Sequence, residues 1–358
     1  MERVPINTLV LGSSYGLLPG VKLALAGNCV TFVGRTAEIA EMGKADVEVI
    51  IPIRRSSGQI ILRAATGPRP GPRVVSLRTP AAVDPAAYDF IILAMQEPQF
   101  ADPDVTQLLA KIALSQRPCL SIMNLPPPPF LRRLKGVPPK ALAGVYHHPE
   151  IWDGFDPGKM SLASPDPQAV RLDPNRPGTL TVKLPSNFKA SSLEDAQDQA
   201  LLERLAKDMT RLKVMHEGSE MRAPVFLMAQ RSLTVPLAKW PMLIAGNCRC
   251  LGPHGPRSIA DAIFSDPETS RKIYAQVSEL AVLIGAAPQD LVPYSNYARA
   301  AAGLTLPSSL ARAIAAGATE VERIDVLVLN LMRAYGLDAD EVAAIAKTID
   351  DAIAHNRR

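Results

Sequence analysis

The segment from Asn7 to Arg35 constrains the fold more than any other stretch of the chain. Asn7–Leu11 (NTLVL) is a short apolar run with β-branched residues, ended by Gly12, as in a buried strand. Gly12-Ser13-Ser14-Tyr15-Gly16 follows, and then Leu17 to Leu25 with helical spacing, stopped at Gly27-Asn28. Cys29 to Val33 is a second buried strand, ending at Gly34-Arg35. A strand, a glycine turn, a helix and a strand in such quick succession form a βαβ unit. That unit requires parallel strands joined by a right-handed crossover.

The pattern continues beyond it. Val47–Pro52 and Gln59–Arg63 flank Ser56-Ser57-Gly58 as in a hairpin. Asp89–Ala94 reads as a buried strand, Val105–Leu114 as a helix and Pro118–Ile122 as a further strand. Strands alternating with helices describe a doubly wound α/β sheet of the Rossmann type. After about residue 220 the period changes, and Met221–Leu233, Lys239–Gly246, Arg271–Ile284 and Thr319–Tyr335 all carry helical spacing. The expected organisation is therefore a Rossmann-type domain over 1–220 and an all-α domain over 221–358. Proline is unusually frequent, 33 of 358 residues, against a usual share of about 5%. Much of it falls between Pro126 and Pro185, where long ordered loops and short strands are expected.

Composition narrows the partners. A formal charge of +4 over 358 residues is too small for a nucleic-acid surface and fits local basic groups around an anionic ligand. No window approaches the roughly 18 apolar residues needed to span a bilayer. The start, Met-Glu-Arg-Val-Pro, runs straight into the first strand without a signal-like apolar stretch. A cytoplasmic protein acting on a small molecule is expected. Cys29, Cys119, Cys248 and Cys250 are too scattered for a disulfide scaffold, and the Cys248/Cys250 pair has no second cluster at zinc spacing, so no metal site is expected.

The chemistry begins at the first turn. Glycines between a first strand and its helix let backbone N–H groups approach a pyrophosphate, which also sits at the positive end of the helix dipole. Here Gly12 and Gly16 are spaced G-x-x-x-G, with Ser13 or Ser14 at the middle position, so an ordinary tight turn is the competing interpretation. The second strand ends at Arg35, where an NAD enzyme presents Asp or Glu to the ribose 2′-hydroxyl. Arginine there pairs with a 2′-phosphate instead, Thr36 adds a hydroxyl, and no acidic residue competes at that strand end. NADPH is the expected cofactor, unless Arg35 is merely a solvated charge at a loop.

Val10-Leu11-Gly12, Leu23-Ala24-Leu25-Ala26-Gly27 and Val30 to Arg35 resemble the opening of the ketopantoate reductases (2-dehydropantoate 2-reductases). More specifically, Ser308-Ser309-Leu310, then Thr319-Glu320-Val321-Glu322-Arg323-Ile324-Asp325 and Tyr335-Gly336, resemble that family's C-terminal block. Leu93 to Gln99 and Ile122-Met123-Asn124 match two further anchors, so the resemblance covers roughly 7–135 and 235–350. It implies a helical second domain of the 6-phosphogluconate dehydrogenase C-terminal type, a homodimer, and an active site in a cleft between the domains. It also implies NADPH across Gly12, Ser13, Ser14, Gly16, Arg35, Gln96, Gln99 and Asn124. Ser308 or Ser309 would hold a substrate carboxylate, Glu320 the substrate hydroxyl, and Asn124 would approach the nicotinamide. Hydride would pass to a carbonyl or imine carbon of a 2-oxo-acid-like substrate.

The departures fall on the catalytic side. In Lys239-Trp240-Pro241-Met242-Leu243-Ile244-Ala245-Gly246-Asn247, Met242 stands where the family has its proton-donating lysine. Gly246 takes the family's asparagine, Asn247 lies one place on, and Gln96 replaces a cofactor-side lysine. A thioether has no proton to give. Lys239, one turn earlier, is the candidate substitute, with a cofactor-phosphate contact as its alternative. Asn247 and Asn296 are expected to help line the substrate pocket. His147-His148, with Glu150 nearby, is expected to be a polar loop of the cofactor domain, Arg323 a surface charge and Arg249 a possible anion contact. These losses keep open a second interpretation, a non-catalytic NADP(H)-binding protein acting as a redox sensor or assembly partner.

Overall fold

The computed structural model describes residues 4–53, 58–165, 168–252 and 255–358, in two units. The first comprises 1–95, 99–123 and 150–231, and the second 96–98, 124–149 and 232–358.

The first unit carries the strands β1 (Asn7–Leu11), β2 (Cys29–Val33), β3 (Val47–Pro52), β4 (Gln59–Gly67), β5 (Val74–Arg78), β6 (Phe90–Leu93) and β7 (Cys119–Ile122). It continues with β8 (Met160–Ala163), β9 (Gln168–Val170), β10 (Thr179–Leu184), β11 (Phe188–Ala190), β12 (Lys213–His216), β13 (Ser219–Arg222) and β14 (Leu227–Ala229). Its helices are α1 (Leu17–Leu25), α2 (Thr36–Met42), α3 (Pro103–Ser115) and α5 (Ala196–Arg211), while α4 (Pro128–Arg132) belongs to the second unit.

Ten strands form one sheet in the order β8-β7-β6-β1-β2-β5-β4-β3-β10-β9. From β8 to β4 every neighbouring pair is parallel, as the βαβ unit requires. The β3–β4 hairpin is antiparallel from Val47↔Ala64 to Pro52↔Gln59, and β9–β10 is antiparallel at the edge, so the sheet is mixed rather than wholly parallel. Ser56 and Ser57 of that hairpin lie outside the described residues. The strand order reverses at β1, which has β2 on one side and β6 on the other. In open α/β sheets the crevice beyond the strand ends at such a reversal is where ligands bind.

Burial explains why these strands read as unbroken apolar runs. Phe90, Ile91, Ile92 and Leu93 are all 0% exposed. Each such side chain contributes roughly 1.5–3 kcal/mol by leaving water. Helix α1 lies close on the sheet because residue 20 is glycine: a Cβ there would meet the ring of Phe32 on β2. This is the close helix–strand packing for which nucleotide-binding turns use their third glycine.

One charged residue sits inside this core. Lys22 on α1 is 0% exposed, and its Nζ donates to the carbonyl oxygens of Ala223 (3.0 Å), Pro224 (2.7 Å) and Val225. The segment it holds is strained, since Val225 has φ +67°, which a β-branched residue rarely adopts. The single lysine therefore fixes the chain between β13 and β14 against the first helix.

The segment Met221–Leu233, expected as a helix, is not one: β13 ends at Arg222 and β14 begins at Leu227. Glu217 (φ +48°) and Gly218 (φ +78°) make the tight turn that pairs β12 with β13, and Pro224 blocks a helix just after it. The first unit accordingly runs to Arg231, beyond the expected boundary at 220, and 124–149 contributes to the second unit.

The second unit is helical apart from the short β15 (Leu251–Gly252) and β16 (Gly255–Pro256). Its helices are α4, α6 (Trp240–Ala245), α7 (Ile259–Phe264), α8 (Pro267–Ile284), α9 (Tyr294–Ala301), α10 (Ser309–Ala315), α11 (Ile324–Ala334) and α12 (Asp340–Asn356). Thr319 to Arg323, expected as the start of a helix, is not helical, and α11 begins only at Ile324. Arg323 is not a surface charge. Its side chain is 11% exposed and pairs with Asp325 (2.8 Å, itself 0% exposed) and Asp350 (2.6 Å), anchoring the first turn of α11. Among the described residues no helix is long and apolar enough to cross a membrane.

Candidate functional site

Each unit contains a cavity, and the candidate residues divide between the two. In the first unit a cavity of about 230 Å³ opens beyond the ends of β1, β2 and β6. It is lined by Gly12, Ser13, Ser14, Arg35, Glu38, Ala94, Met95, Gln99 and Arg171, among others. Gly12 makes the turn. Its φ of +93° is costly for any residue with a Cβ, and a Cβ there would overlap the carbonyl oxygen of Ala94. Gly16 closes the turn from below, where a Cβ would overlap the Gly12 carbonyl and the Val10 side chain. The backbone at this turn is thus bare where a phosphate would approach.

Two further charges occupy this cavity. The Ser13 hydroxyl donates to Glu38, and Arg171 binds both Ser13 (2.5 Å) and Glu38 (2.8 Å). Burial pushes the Glu38 carboxyl up, but the Ser13 hydrogen bond and the Arg171 and Arg35 charges outweigh it and hold the group below its usual range. An acidic residue therefore does reach the region where none was expected. It sits one helical turn beyond Arg35, which is why inspection of the strand end misses it. Arg171 comes from the Pro-rich stretch, whose spacing carries no signal.

In the second unit a cavity of about 20 Å³, room for a single water or carbonyl oxygen, lies among Gln96, Asn124, Leu243, Asn247, Cys248, Ser308, Ser309 and Glu322. Gln96 and Asn124, expected along the cofactor, are thus in the second unit, whereas Gln99 lines the cavity of the first. Ser308 is buried and committed: its hydroxyl donates to the Asn247 carbonyl (2.8 Å) and accepts from the Ala311 N–H (3.2 Å) as the N-cap of α10. Ser309, the first residue of the helix, lines the same cavity.

The carboxylate in this cavity is Glu322, not Glu320. Because 319–323 is not helical, these two glutamates do not occupy the positions that a helix would give them. Glu322 is 6% exposed, and the Asn124 amide donates to it (3.3 Å). The Glu320 side chain is 43% exposed and lies 3.9 Å from His147 Nδ1. His147 is likewise not in a loop of the cofactor domain. It belongs to the second unit, where its backbone N–H donates to the buried Glu97 (3.1 Å). The sequence gives no sign that Glu97 and His147 meet, because they lie 50 residues apart in the chain. Burial drives the Glu322 carboxyl up to about 8, and the nearby Glu97 charge adds to this. The Asn124 amide and the backbone N–H groups of Glu97 and Leu125 only partly oppose the rise.

Three expected residues stand elsewhere. Lys239 lines neither cavity; it precedes α6 at its N-terminus. Asn296 is exposed on α9. Arg249 is taken up by Ser270 (2.5 Å) and the Ala245 carbonyl (3.3 Å).

The glycine at 246, where the resemblance has asparagine, has a local cause. A Cβ there would overlap the hydroxyl of Tyr297, which is 5% exposed and donates to the Met242 carbonyl (3.1 Å). Gly246→Ala should cost about 1–3 kcal/mol by overpacking, and much less in a Tyr297→Phe background. Denaturant midpoints of the four proteins test this, and equal costs in both backgrounds would refute it.

No protein-family model matches the chain, and no curated protein matches it in sequence. Solved structures do match in fold. A ketopantoate reductase from Ralstonia eutropha JMP134 superposes with a TM-score of 0.65 at 12% identity, covering 98% of this chain and 100% of that one. A 2-dehydropantoate 2-reductase from Methylococcus capsulatus gives 0.61 at 16% identity, covering 99% and 98%. D-mandelate dehydrogenase, in a ternary structure with NADH and anilino(oxo)acetate, gives 0.63 at 13% identity over 98% and 99%. The chain has the fold of these proteins, a Rossmann-type sheet with a helical second unit.

Proposed function

We propose that the chain is a nicotinamide-dependent oxidoreductase of the ketopantoate reductase kind, using NADPH to reduce the carbonyl (or imine) of a small 2-oxo-acid-like substrate. The observation that carries this is the bare turn at Gly12 and Gly16. It faces a cavity at the sheet's point of reversal, with Arg35 on its rim. The neighbours in fold include a ketopantoate reductase, a 2-dehydropantoate 2-reductase and a D-mandelate dehydrogenase bound to NADH, which supports the same class here.

The residues present fit a dinucleotide. Backbone N–H groups of the turn would take the pyrophosphate and Arg35 the 2′-phosphate, while Gln99 lines the same cavity. Glu38 is already matched by Arg171 and Ser13, so its charge is offset where the phosphates approach. Bound there, the cofactor supplies a hydride. The second unit supplies what holds the substrate oxygen: Asn124, Ser309 and Glu322 around one small cavity. Polar groups fixed in a water-excluded site are the largest source of rate enhancement in such reactions.

The test is turnover. Purified protein with NADPH and a panel of 2-oxo acids, ketopantoate first and aryl 2-oxo acids next, should consume the reduced cofactor with at least one of them. Binding of NADPH with no turnover on any carbonyl or imine would favour the non-catalytic reading, for which Met242 in place of the expected lysine is the specific argument.

A further inference from the structure

Two buried carboxyl groups of the second unit have more acidity to offer than substrate positioning uses. Glu97 is 1% exposed and Glu322 6%. Glu97 Oε1 accepts from the His147 N–H and Glu322 Oε2 from the Asn124 amide, with the backbone N–H of His148 near the first carboxyl and those of Glu97 and Leu125 near the second, while Glu97 Oε2 and Glu322 Oε1 are buried and no hydrogen bond reaches either atom. An unpaired buried oxygen is rare and costly for a carboxylate, and much less so for a carboxylic acid that carries its own proton. Two such groups within electrostatic reach cannot both ionise cheaply. Glu322 also lines the small cavity of the second unit.

We propose that Glu322, with Glu97 beside it, supplies the proton taken up by the substrate oxygen. The proposal rests on the oxidoreductase reading. As hydride from the reduced nicotinamide reaches the carbonyl carbon, the C=O π bond breaks and its electron pair moves to oxygen. That oxygen takes the proton from Glu322, the O–H bond of the carboxyl breaking as the O–H bond of the product alcohol forms. Glu322 is left as a carboxylate, the cofactor is oxidised by two electrons, and a solvent proton restores the acid. The groups acting on Glu322 are Glu97 and Cys248, while His147 and Glu320 act on Glu97, and Arg323, next in the chain, is paired with Asp325. Burial raises Glu97 as well, with the Glu320 charge adding and His147 opposing. A donor must carry its proton at working pH, and burial provides for that by moving Glu322 up to about 8.

Infrared difference spectra of the ligand-free, full-length protein between pH 5 and 10 test the protonation directly. A carboxylic-acid C=O band should disappear with a midpoint near 8 and be absent in Glu322→Gln. Glu97→Gln, which removes the neighbouring charge, should move that midpoint down. Kinetically, Glu322→Gln should lower kcat by about 100-fold or more and leave NADPH affinity within about twofold. The wild-type rate should fall above pH about 8, a limb that the variant lacks. Glu322→Gln retaining kcat and this alkaline limb, or a wild type with no such titrating carboxyl, would overturn the proposal. A wild type that neither binds NADPH nor turns over would instead defeat the oxidoreductase reading, and the donor role with it.

Discussion

Lys22→Met is expected to destabilise the first unit by about 3 kcal/mol or more, and to lower its melting temperature by roughly 10 °C. Methionine keeps the length and shape of the lysine stem. It leaves three buried carbonyls, those of Ala223, Pro224 and Val225, without their donor. Each acceptor abandoned in this way costs about 1–3 kcal/mol, and the strained Val225 loses the contact that holds it. The effect also depends on pH. Burial lowers the Lys22 pKa to about 7, although three carbonyls suit an ammonium and oppose the drop. In the unfolded chain the same group titrates near 10.5. Between these values the unfolded chain holds a proton that the folded chain does not, so wild-type stability rises with pH from about 7 towards 10.5. The gap to the Met variant should therefore widen from pH 7 to pH 9. The two tryptophans make this measurable, because Trp152 is buried in the first unit and Trp240 in the second. In a Trp240→Phe background the fluorescence reports the first unit alone. A shift under about 2 °C at both pH values would contradict the role given to Lys22.

Gly12→Ala is expected to abolish cofactor binding, weakening NADPH on the order of 100-fold or more, while the inert-looking Gly27→Ala leaves binding unchanged. The two glycines share a φ of +93°, so both variants incur the left-handed penalty of about 1–2 kcal/mol. They differ in what surrounds them. A Cβ on Gly27 meets nothing within 4 Å, whereas one on Gly12 overlaps the Ala94 carbonyl and the Met95 side chain. Ala94 cannot easily yield, since its N–H is tied to the Leu11 carbonyl (2.8 Å) at the end of β1. The turn itself must move, taking the phosphate-facing N–H groups with it and adding about 1–3 kcal/mol of overpacking. Calorimetric titration of both variants, with Trp152 fluorescence confirming that each is folded, separates strain from overlap. Gly12→Ala binding NADPH within about threefold of wild type would remove the turn from the site.

The first unit was readable because strand, turn and helix there follow one another directly. Asn7 to Arg35 contains β1, α1 and β2 at the residues where periodicity places them. The small cavity of the second unit was less readable because its residues are distant in the chain. The resemblance pointed to Asn124, but Glu97, His147 and Glu322 join it only through the fold. Glu320 came from the resemblance of the Thr319-Glu320 pair to the family block, and the helix expected from Thr319 begins five residues later, at Ile324. The helix expected over Met221–Leu233 overlaps the end of β13 and all of β14, where Pro224 interrupts it. Gly20 shows the opposite case, a mid-helix glycine whose meaning emerges only once Phe32 is seen against it.

The most direct test is calorimetric titration of the unaltered chain with NADPH and, in parallel, NADH, repeated with Arg35→Ala. NADPH should bind more tightly than NADH, and Arg35→Ala should weaken NADPH by about 10–100-fold, as expected from one charged hydrogen-bonding contact of about 1.5–3 kcal/mol, while leaving NADH unchanged. Heat from neither nucleotide would mean that the turn at Gly12 and Gly16 holds no dinucleotide, and the oxidoreductase account would be wrong.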